Sequence, residues 1–500
     1  MPDPSLNAQE KGEARAAWRW PLPPPVADAP DLLGPHTELH ALSNFSFQRG
    51  ASHPAELVVQ AYRLGYRGLA LTDECSVAGV VRAHMALQDY EAMLLEAEQA
   101  EPGLRYKRAF SFIPGSEFAL PGLRLVVLPH DLVGWGQLCE LISHARRRSD
   151  IVKGDYRVDW DDAWASLADC EVLCVPERHP APDALALRTR LRQLRTWFGT
   201  RLWLGLALVG ATDDALWLRQ MRQLSVLSSV PLVAAGGVLM HARSRKKLQD
   251  VLTAVRLKTP VADCGFALEP NAERRLRSRV TLRQIYPDEL LAATETVRAR
   301  CNFSLQEIAY HYPRETLPPG CTPTQALRQL TYAEGRRLRY PGQMPEKIRA
   351  LVEKELQLIA ECQYEMFFLT VHDIVRFARS RGILCQGRGS AANSVVCYCL
   401  GITAANPEDS SPLMERFISK ERRNEPPDID VDFEHERREE VIQYIYDTYG
   451  QDRAAIAAVV ICYRRRSAIR DVGTALGLPA ALVEAFAKEH HWFDPGLIGE

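Results

Sequence analysis

Three aspartates alternate with three apolar residues in one short segment of this 500-residue chain, where residues 428–433 read Asp-Ile-Asp-Val-Asp-Phe. Successive side chains of a β-strand point to opposite faces, so the alternation places three carboxylates on one face and three apolar side chains on the other. Neighbouring carboxylates repel one another unless a cation lies among them, and oxygen ligands favour a hard ion such as Mg2+. The segment is therefore predicted to be a strand that binds catalytic metal.

Two other interpretations of this segment remain open. An EF-hand calcium loop also carries alternating aspartates and an acidic twelfth residue, here Glu439, but it requires glycine at the sixth position, where Phe433 stands. An acidic strand that faces water is the other alternative, because exposed charges cost little.

A second motif precedes the aspartates by about forty residues. Residues 382–390 read Gly-Ile-Leu-Cys-Gln-Gly-Arg-Gly-Ser and lead into a run of small and apolar residues. This order predicts a strand, a tight loop, a serine able to cap and a helix N-terminus. Helix starts attract anions, and glycine lets a phosphate approach the backbone, although the Walker spacing is missing and an ordinary capped helix remains the alternative. Together the two motifs indicate phosphoryl or nucleotidyl transfer assisted by two metal ions.

Both motifs resemble the palm of bacterial C-family DNA polymerases, the DNA polymerase III alpha type. The resemblance extends to residues 365–379, 416–423 and 470–473. Within that family the error-prone branch, often called ImuC, is the more similar. The segments that indicate it are 38–52, 71–79, 270–277 and 434–443. The likeness covers roughly residues 35 to 490.

The resemblance implies roles for particular residues. Asp430 and Asp432 match the ligands of two catalytic Mg2+ ions, and Asp428 matches an aspartate that is not a principal ligand. A third palm carboxylate is expected beyond Glu500, so we expect these 500 residues alone to be inactive. The phosphates of the incoming nucleotide are assigned to a three-residue turn, Arg388, Gly389 and Ser390.

Short apolar strands and helical patterns alternate between about residues 38 and 277, for example a helix at 55–65 and a strand at 68–72. The alternation predicts an α/β domain with a parallel sheet, open or closed into a barrel. The region resembles a PHP domain, a distorted barrel whose active members bind metals at its mouth through His, Asp and Glu. His40 and Glu117 match that pattern. The departures are Leu42, Arg49, Glu74, Arg124, Gly237 and Leu239. Leucine and glycine cannot coordinate and arginine opposes a cation, so no metal is expected in the PHP domain, which would support the palm.

The predicted fold class is α/β, with a PHP-type distorted β/α barrel, then a polymerase-beta-like nucleotidyltransferase palm of α+β type and the start of a helical thumb. The expected domains are a disordered leader at 1–34, the PHP domain at 35–280, the first part of the palm at 281–433 and the thumb region at 434–500. The remaining palm, the fingers and the C-terminal modules are expected outside this chain.

Composition agrees with an intracellular enzyme. Twelve scattered cysteines form no Cys-x-x-Cys pair, which favours reduced thiols over a zinc finger or a disulfide framework. No run is long enough for a signal peptide or a membrane span, so we expect a cytoplasmic protein without a membrane partner. The net charge of −2 gives no global sign of nucleic-acid binding. Local basic clusters are candidates for phosphate contacts, namely 146–148, 246–247, 422–423 and 464–466.

The resemblance implies an error-prone, translesion DNA-directed DNA polymerase of damage-induced mutagenesis and DNA repair. Its substrates would be template-primer DNA and dNTPs, and its partners the sliding clamp and other mutasome proteins. A PHP-type metal-dependent phosphoesterase and a non-catalytic DNA-binding or assembly fragment are the alternatives. His179, His241 and the pair at 490–491 are given no chemical role.

Overall fold

The chain forms two compact units, residues 1–308 with 462–500 and residues 309–461, which are described separately. The computed structural model describes residues 20–25, 33–101, 103–106, 109–148, 152, 154–160, 166–178, 183–309, 313, 316–408, 428–457 and 459–489. Several predicted features lie outside these residues. They are most of the leader, the segment 416–423 with its basic pair, His179 and the pair at 490–491.

The first unit alternates strands with helices over most of its length. Its strands are β1 (Thr37–Ala41), β2 (Gly68–Leu71), β3 (Ser111–Pro114), β4 (Ser116–Leu120), β5 (Leu123–Pro129), β6 (Cys170–Pro176), β7 (Leu202–Leu206) and β8 (Leu232–Ala234). Its helices are α1 (Pro54–Arg63), α2 (Val80–Ala100), α3 (Leu132–Arg146), α4 (Ala184–Phe198), α5 (Asp214–Ser228), α6 (Lys246–Leu257), α7 (Arg279–Ile285) and α8 (Asp288–Arg300). The helix predicted at 55–65 and the strand predicted at 68–72 are confirmed as α1 and β2.

The strands form two sheets. In the first, β1, β2 and β3 run parallel in that order. The second has the order β4-β5-β6-β7-β8 and is mixed, because β5 is antiparallel to both β4 and β6. Only Gly115 separates β3 from β4, and a bridge from Ala41 to Val238 connects the end of β1 to the chain after β8. The α/β class is confirmed, with both sheets linked at two places.

The prediction of a wholly parallel sheet is wrong at the β4–β5 hairpin. Two residues join these strands, Pro121 and Gly122, and Gly122 has a φ of 77°. Proline followed by a residue of positive φ is typical of a type II turn, in which glycine is favoured at the second central position. This turn reverses the chain and makes β4 and β5 antiparallel.

The strands of the first unit are buried on both faces. Leu69 and Leu71 of β2 belong to the main apolar core, whereas Ala70 between them belongs to a second core on the opposite face. Val297 of α8 packs into that second core, which extends the compact unit beyond the predicted boundary at residue 280. A strand covered on both faces carries a continuous apolar run, which explains the Gly-Leu-Ala-Leu sequence of β2.

Two C-terminal helices also belong to the first unit. They are α14 (Arg465–Ala475) and α15 (Ala480–Glu489), numbered after the helices of the second unit. Ala475 packs with Ala254 of α6 and with Cys264. The compact units therefore divide residues 434–500 differently from the predicted domains, and the assignment of that segment to a thumb stays a prediction.

The second unit is mainly helical with one small sheet. Its helices are α9 (Pro323–Leu338), α10 (Glu346–Cys362), α11 (Glu365–Ser380), α12 (Val395–Cys399) and α13 (Arg438–Tyr449). Its strands are β9 (Cys385–Arg388) and β10 (Asp430–Phe433). Residues of α10, α11 and α12 form a single apolar core, to which Val352, Phe368 and Val396 contribute fully buried side chains. The small sheet is built on this core.

All twelve cysteines are free thiols. Within the described part of the chain, no helix combines the length and the apolar character needed to cross a membrane.

Candidate functional site

The predicted strand of alternating aspartates is confirmed. Residues 430–433 form β10, and exposed side chains at Asp428, Asp430 and Asp432 alternate with partly buried ones. Ile429 and Val431 pack against the core of the second unit. Because a regular strand holds the aspartates on one face, the residues do not form the wrapped loop of an EF-hand.

The strand β10 pairs with β9, which carries the arginine of the second motif. The two strands are antiparallel, with Arg388 opposite Asp430 and Gln386 opposite Asp432. Arg388 Nε lies 2.8 Å from Asp432 Oδ2, and both side chains are more than 60% exposed. An ion pair this open to solvent contributes roughly 0–1 kcal/mol, so it orients the two groups more than it stabilises the fold.

Gly387 is required by a close backbone contact, and Gly389 is favoured by its backbone conformation. The Gly387 N–H donates to the Ile402 carbonyl oxygen at 2.8 Å, and a Cβ on Gly387 would lie 2.6 Å from that oxygen. Gly389 has a φ of 64°, and a Cβ there would lie 3.1 Å from Asp430 Oδ2. The turn and the aspartate strand are thus in direct contact.

The helix expected directly after this turn begins later than predicted. Gly389–Asn393, which contains Ser390, forms a 3-10 turn, and α12 starts only at Val395. The capping serine is Ser394, whose hydroxyl oxygen accepts from the Cys397 N–H at 3.0 Å. The interpretation that Ser390 opens the α-helix is therefore wrong, although the site residues assigned to the turn stay a prediction.

The start of α12 already binds an anion supplied by the protein. The carboxylate of Glu355 accepts from the Ser394 hydroxyl and from the N–H groups of Val395 and Val396, each at 2.9 Å. Glu355 is only 2% exposed, and burial raises the pKa of its carboxyl. The amides of this helix start are occupied, so a phosphate would have to contact the turn before it.

Sequence reasoning missed Glu355, although its position carried a signal. Within α10 the side chains of Ile348, Val352 and Ile359 are buried at helical spacing, and Glu355 lies on the same face. An acidic residue on an apolar face needs hydrogen-bond donors when it is buried. That requirement could have marked Glu355 before its donors were known.

A second carboxylate missed from the sequence joins α11 to α13. Asp373 Oδ2 accepts from the hydroxyl groups of Tyr444 at 2.6 Å and Tyr449 at 2.8 Å. Burial would raise the pKa of Asp373, but these hydrogen bonds and Arg376 outweigh it, and the pKa lies below its usual range. The ring of Phe377 stacks on Tyr444 at 3.9 Å. These contacts fix the helix that follows β10.

The aspartate strand offers ligands of the type that Mg2+ prefers, since Asp430 and Asp432 present exposed carboxylates on one face. Among the residues that the structure describes, no three His, Cys, Asp or Glu side chains are grouped so as to hold a metal ion. The two carboxylates of β10 do not by themselves make such a group, so a metal role for Asp430 and Asp432 stays a prediction.

The mouth of the first unit holds a different arrangement, here named the mouth network, made of His40, Arg49, Glu74, Glu117 and Arg124. Glu117 is fully buried and central. It lies 2.6 Å from His40 Nε2, 2.5 Å from Arg49 and 2.9 Å from Arg124. Arg49 also pairs with Glu74. Two guanidinium groups thus neutralise the carboxylates of this mouth.

The charges of the mouth network depend on one another. Burial alone would raise the pKa of Glu117, but Arg49, His40 and Arg124 outweigh it, and the pKa lies well below its usual range. Burial lowers the pKa of His40, although Glu117 opposes this. The carboxylate is therefore ionised and the histidine largely neutral near pH 7.

Other positions at which active PHP domains would supply metal ligands are apolar or crowded here. Leu42 and Leu239 belong to one small buried cluster. Gly237 has a φ of 56°, and a Cβ there would lie 2.8 Å from the Arg274 guanidinium. Nearby, His241 Nδ1 is 2.8 Å from the Ser52 hydroxyl. These contacts are those of a packed interior.

Glu38, at the base of the same mouth, predicts a pH dependence of stability. Its Oε1 accepts from the N–H groups of Gly236 at 2.7 Å and His40 at 3.0 Å, and burial raises the pKa of Glu38 to about 7. Between about pH 4.5 and 7 the folded state then binds a proton that the unfolded state has lost, so the free energy of unfolding falls as pH rises, by about 2 to 3 kcal/mol. Glu38→Gln keeps the acceptor and should remove this dependence in urea unfolding at pH 5 and pH 8.

A matched control for this measurement is Glu96→Gln, since Glu96 is exposed on α2. In the control, the difference in unfolding free energy between pH 5 and pH 8 should equal that of the unchanged protein. A Glu38→Gln variant with that same difference would contradict the protonation assigned to Glu38.

Comparison with known families defines the class of each region. Residues 38–179 match the PHP domain family, and residues 325–497 match the family described as the bacterial DNA polymerase III alpha NTPase domain. The two matches confirm the predicted resemblance to these families.

Named relatives extend the similarity to most of the chain. The error-prone DNA polymerase of Aromatoleum aromaticum is 50% identical over 468 residues, which are 93% of this chain and 42% of that protein. Those of Azoarcus sp. strain BH72 and Methylococcus capsulatus are 50% and 52% identical, over 92% and 90% of this chain and 44% and 41% of the relatives. The chain spans less than half the length of these curated relatives.

Proposed function

We propose that this chain is part of an error-prone DNA polymerase that adds dNTPs to a primer 3′ end by two-metal nucleotidyl transfer. The observation that carries the proposal is the shared exposed face of β9 and β10, where Asp430 and Asp432 lie beside Arg388. The similarity to polymerases named error-prone supports it. Primer extension by the intact enzyme on template-primer DNA, with and without a template lesion, tests it.

In this proposal each residue of the face has a separate task. Asp430 and Asp432 would hold two Mg2+ ions, which supply charge that stabilises the attacking and leaving oxygens. Arg388 offers a cation to the phosphates, as a guanidinium forms strong charge-assisted hydrogen bonds with phosphate oxygens. Gly389 keeps the turn close to Asp430 and leaves room for the nucleotide. Ser390 is proposed to contact the same phosphates.

The first unit is proposed to support the palm without a metal of its own. The mouth network supports this assignment, because Arg49 and Arg124 already neutralise Glu117. Metal analysis that finds stoichiometric zinc or manganese in this unit, together with phosphoesterase activity, would favour the phosphoesterase function instead. The wider proposal places the enzyme in the cytoplasm in damage-induced mutagenesis, with the sliding clamp and other mutasome proteins as partners.

Arg388→Ala should weaken nucleotide use by the intact enzyme. A lost charge-assisted hydrogen bond is worth about 1.5 to 3 kcal/mol, which corresponds to a rise of roughly 10- to 150-fold in the KM for dNTP. Stability should hardly change, because Arg388 is exposed and its pair with Asp432 is weak. Steady-state single-nucleotide incorporation measures the effect.

Arg337→Ala is the matched control for this variant. Arg337 lies in the same unit, is as exposed as Arg388 and also pairs with one carboxylate, Glu334. Its removal should leave the KM for dNTP unchanged. An unchanged nucleotide dependence in Arg388→Ala would remove Arg388 from the phosphate site.

A further inference from the structure

We propose that Glu355 is a positioning residue that holds the nucleotide-binding turn Gly389–Asn393 in place through its contacts with Ser394, Val395 and Val396. The inference rests on the proposed function, because that function assigns nucleotide binding to this turn. It adds a residue that lies outside both sequence motifs and that does not touch the nucleotide.

The turn is fixed at both ends by different contacts. At its N-terminal end, Arg388 is paired with Asp430 in the β9–β10 sheet. At its C-terminal end, the Ser394 N–H donates to the Ala391 carbonyl oxygen at 3.1 Å, and the Ser394 hydroxyl donates to Glu355 at 2.9 Å. Glu355 therefore secures the end that the sheet does not reach.

The helix that carries Glu355 is held rigidly by its packing. Glu355 projects from α10, whose neighbouring residues Val352, Leu356 and Ile359 are buried in the core of the second unit. A side chain anchored in a packed helix transmits the position of that helix to whatever it binds. The turn thereby takes its position from the core.

A carboxylate suits this role better than an apolar or amide side chain. Its two oxygens accept hydrogen bonds from three converging donors. A carboxylate that only accepts has no N–H or O–H group of its own to face these donors. An apolar residue would leave the Val395 and Val396 amides without acceptors in the interior. Burial raises the pKa of Glu355, while the three donors oppose that change.

The test is Glu355→Gln in the intact enzyme. Glutamine keeps the volume, but its NH2 group faces N–H or O–H donors and cannot accept from them. The KM for dNTP should rise about tenfold or more, with a smaller change in kcat, because the turn is displaced rather than the metal ligands. Glu346→Gln makes the same chemical change at an exposed position of α10 and should leave both constants unchanged.

Hydrogen exchange gives a readout that does not depend on activity. In Glu355→Gln the amides of residues 389–397 should exchange at least about tenfold faster, whereas those of α13 should keep their protection. Ser394→Ala removes one of the three donors and offers a milder variant if Glu355→Gln does not fold. Unchanged exchange of residues 389–397 in a folded variant would overturn the inference.

A double-mutant cycle separates positioning from a general loss of structure. If Glu355 acts through the turn that directly follows Arg388, then Glu355→Gln combined with Arg388→Ala should raise the KM for dNTP by less than the product of the single effects. A KM for dNTP that rises by the full product of the two single effects would overturn the inference. Failure of the proposed function has a different result, namely no synthesis by the unchanged enzyme or normal synthesis by Asp430→Asn.

Discussion

Asp430→Asn or Asp432→Asn should slow nucleotide incorporation by the intact polymerase about a thousandfold. Asparagine keeps the size of the side chain but removes the charge that would hold Mg2+ on the exposed face of β10. A loss of roughly 4 kcal/mol of transition-state stabilisation corresponds to that factor at about 1.4 kcal/mol per tenfold change in rate. Single-turnover incorporation at saturating dNTP measures the effect.

The same substitutions that slow incorporation should not lower the stability of the folded protein. Relief of repulsion between neighbouring carboxylates should leave the metal-free Tm of Asp430→Asn equal or higher. Asp432→Asn also loses the exposed contact with Arg388, which limits any cost to roughly 0–1 kcal/mol. Asp428→Asn is the control, because Asp428 lies on the same exposed face without an assigned ligand role. Near-normal synthesis by Asp430→Asn or Asp432→Asn would contradict the proposed function.

Glu117→Gln should destabilise the first unit by about 3 to 5 kcal/mol, the usual cost when one partner of a buried ion pair is removed. Glu117 is fully buried and is the carboxylate shared by Arg49 and Arg124. Without its charge, the two guanidinium groups keep Glu74 and, for Arg124, the more distant and partly exposed Glu177. Urea unfolding at pH 7 measures the loss, and incorporation per folded molecule should remain nearly normal.

The matched control for Glu117 is Glu289→Gln. Glu289 also pairs with an arginine, Arg222, but both side chains are more than half exposed. That substitution should cost less than about 1 kcal/mol. Equal stability of the Glu117 and Glu289 variants would mean that the mouth network does not hold the first unit together.

The sequence predicted those features whose cause is local. The strand of residues 428–433 follows from a period of two, and the glycines at 387 and 389 mark places where the backbone comes close to other atoms. The late start of α12 was missed because two serines four residues apart can both cap, and only the packing of Glu355 selects Ser394. The choice between the two serines depends on the burial of Glu355, which a local sequence pattern does not show.

Contacts between residues distant in the chain could also not be predicted from the sequence. Arg49 was predicted to depart from a metal-binding pattern and Glu117 to match it, but the contact between their side chains joins residues 68 positions apart. The same holds for Asp373 and Tyr449, which are 76 positions apart. The contact that each residue makes becomes visible only when the fold supplies the second member of the pair.

The two glycines flanking Arg388 also determine where a designer could alter this enzyme. A side chain at 387 would clash with the Ile402 backbone, and one at 389 would be strained at a φ of 64°, so both positions resist substitution. Gln386 differs, because it is exposed and faces the same side as its neighbour across the sheet, Asp432. Position 386 is therefore open to substitution, whereas the two glycine positions on either side of Arg388 are not.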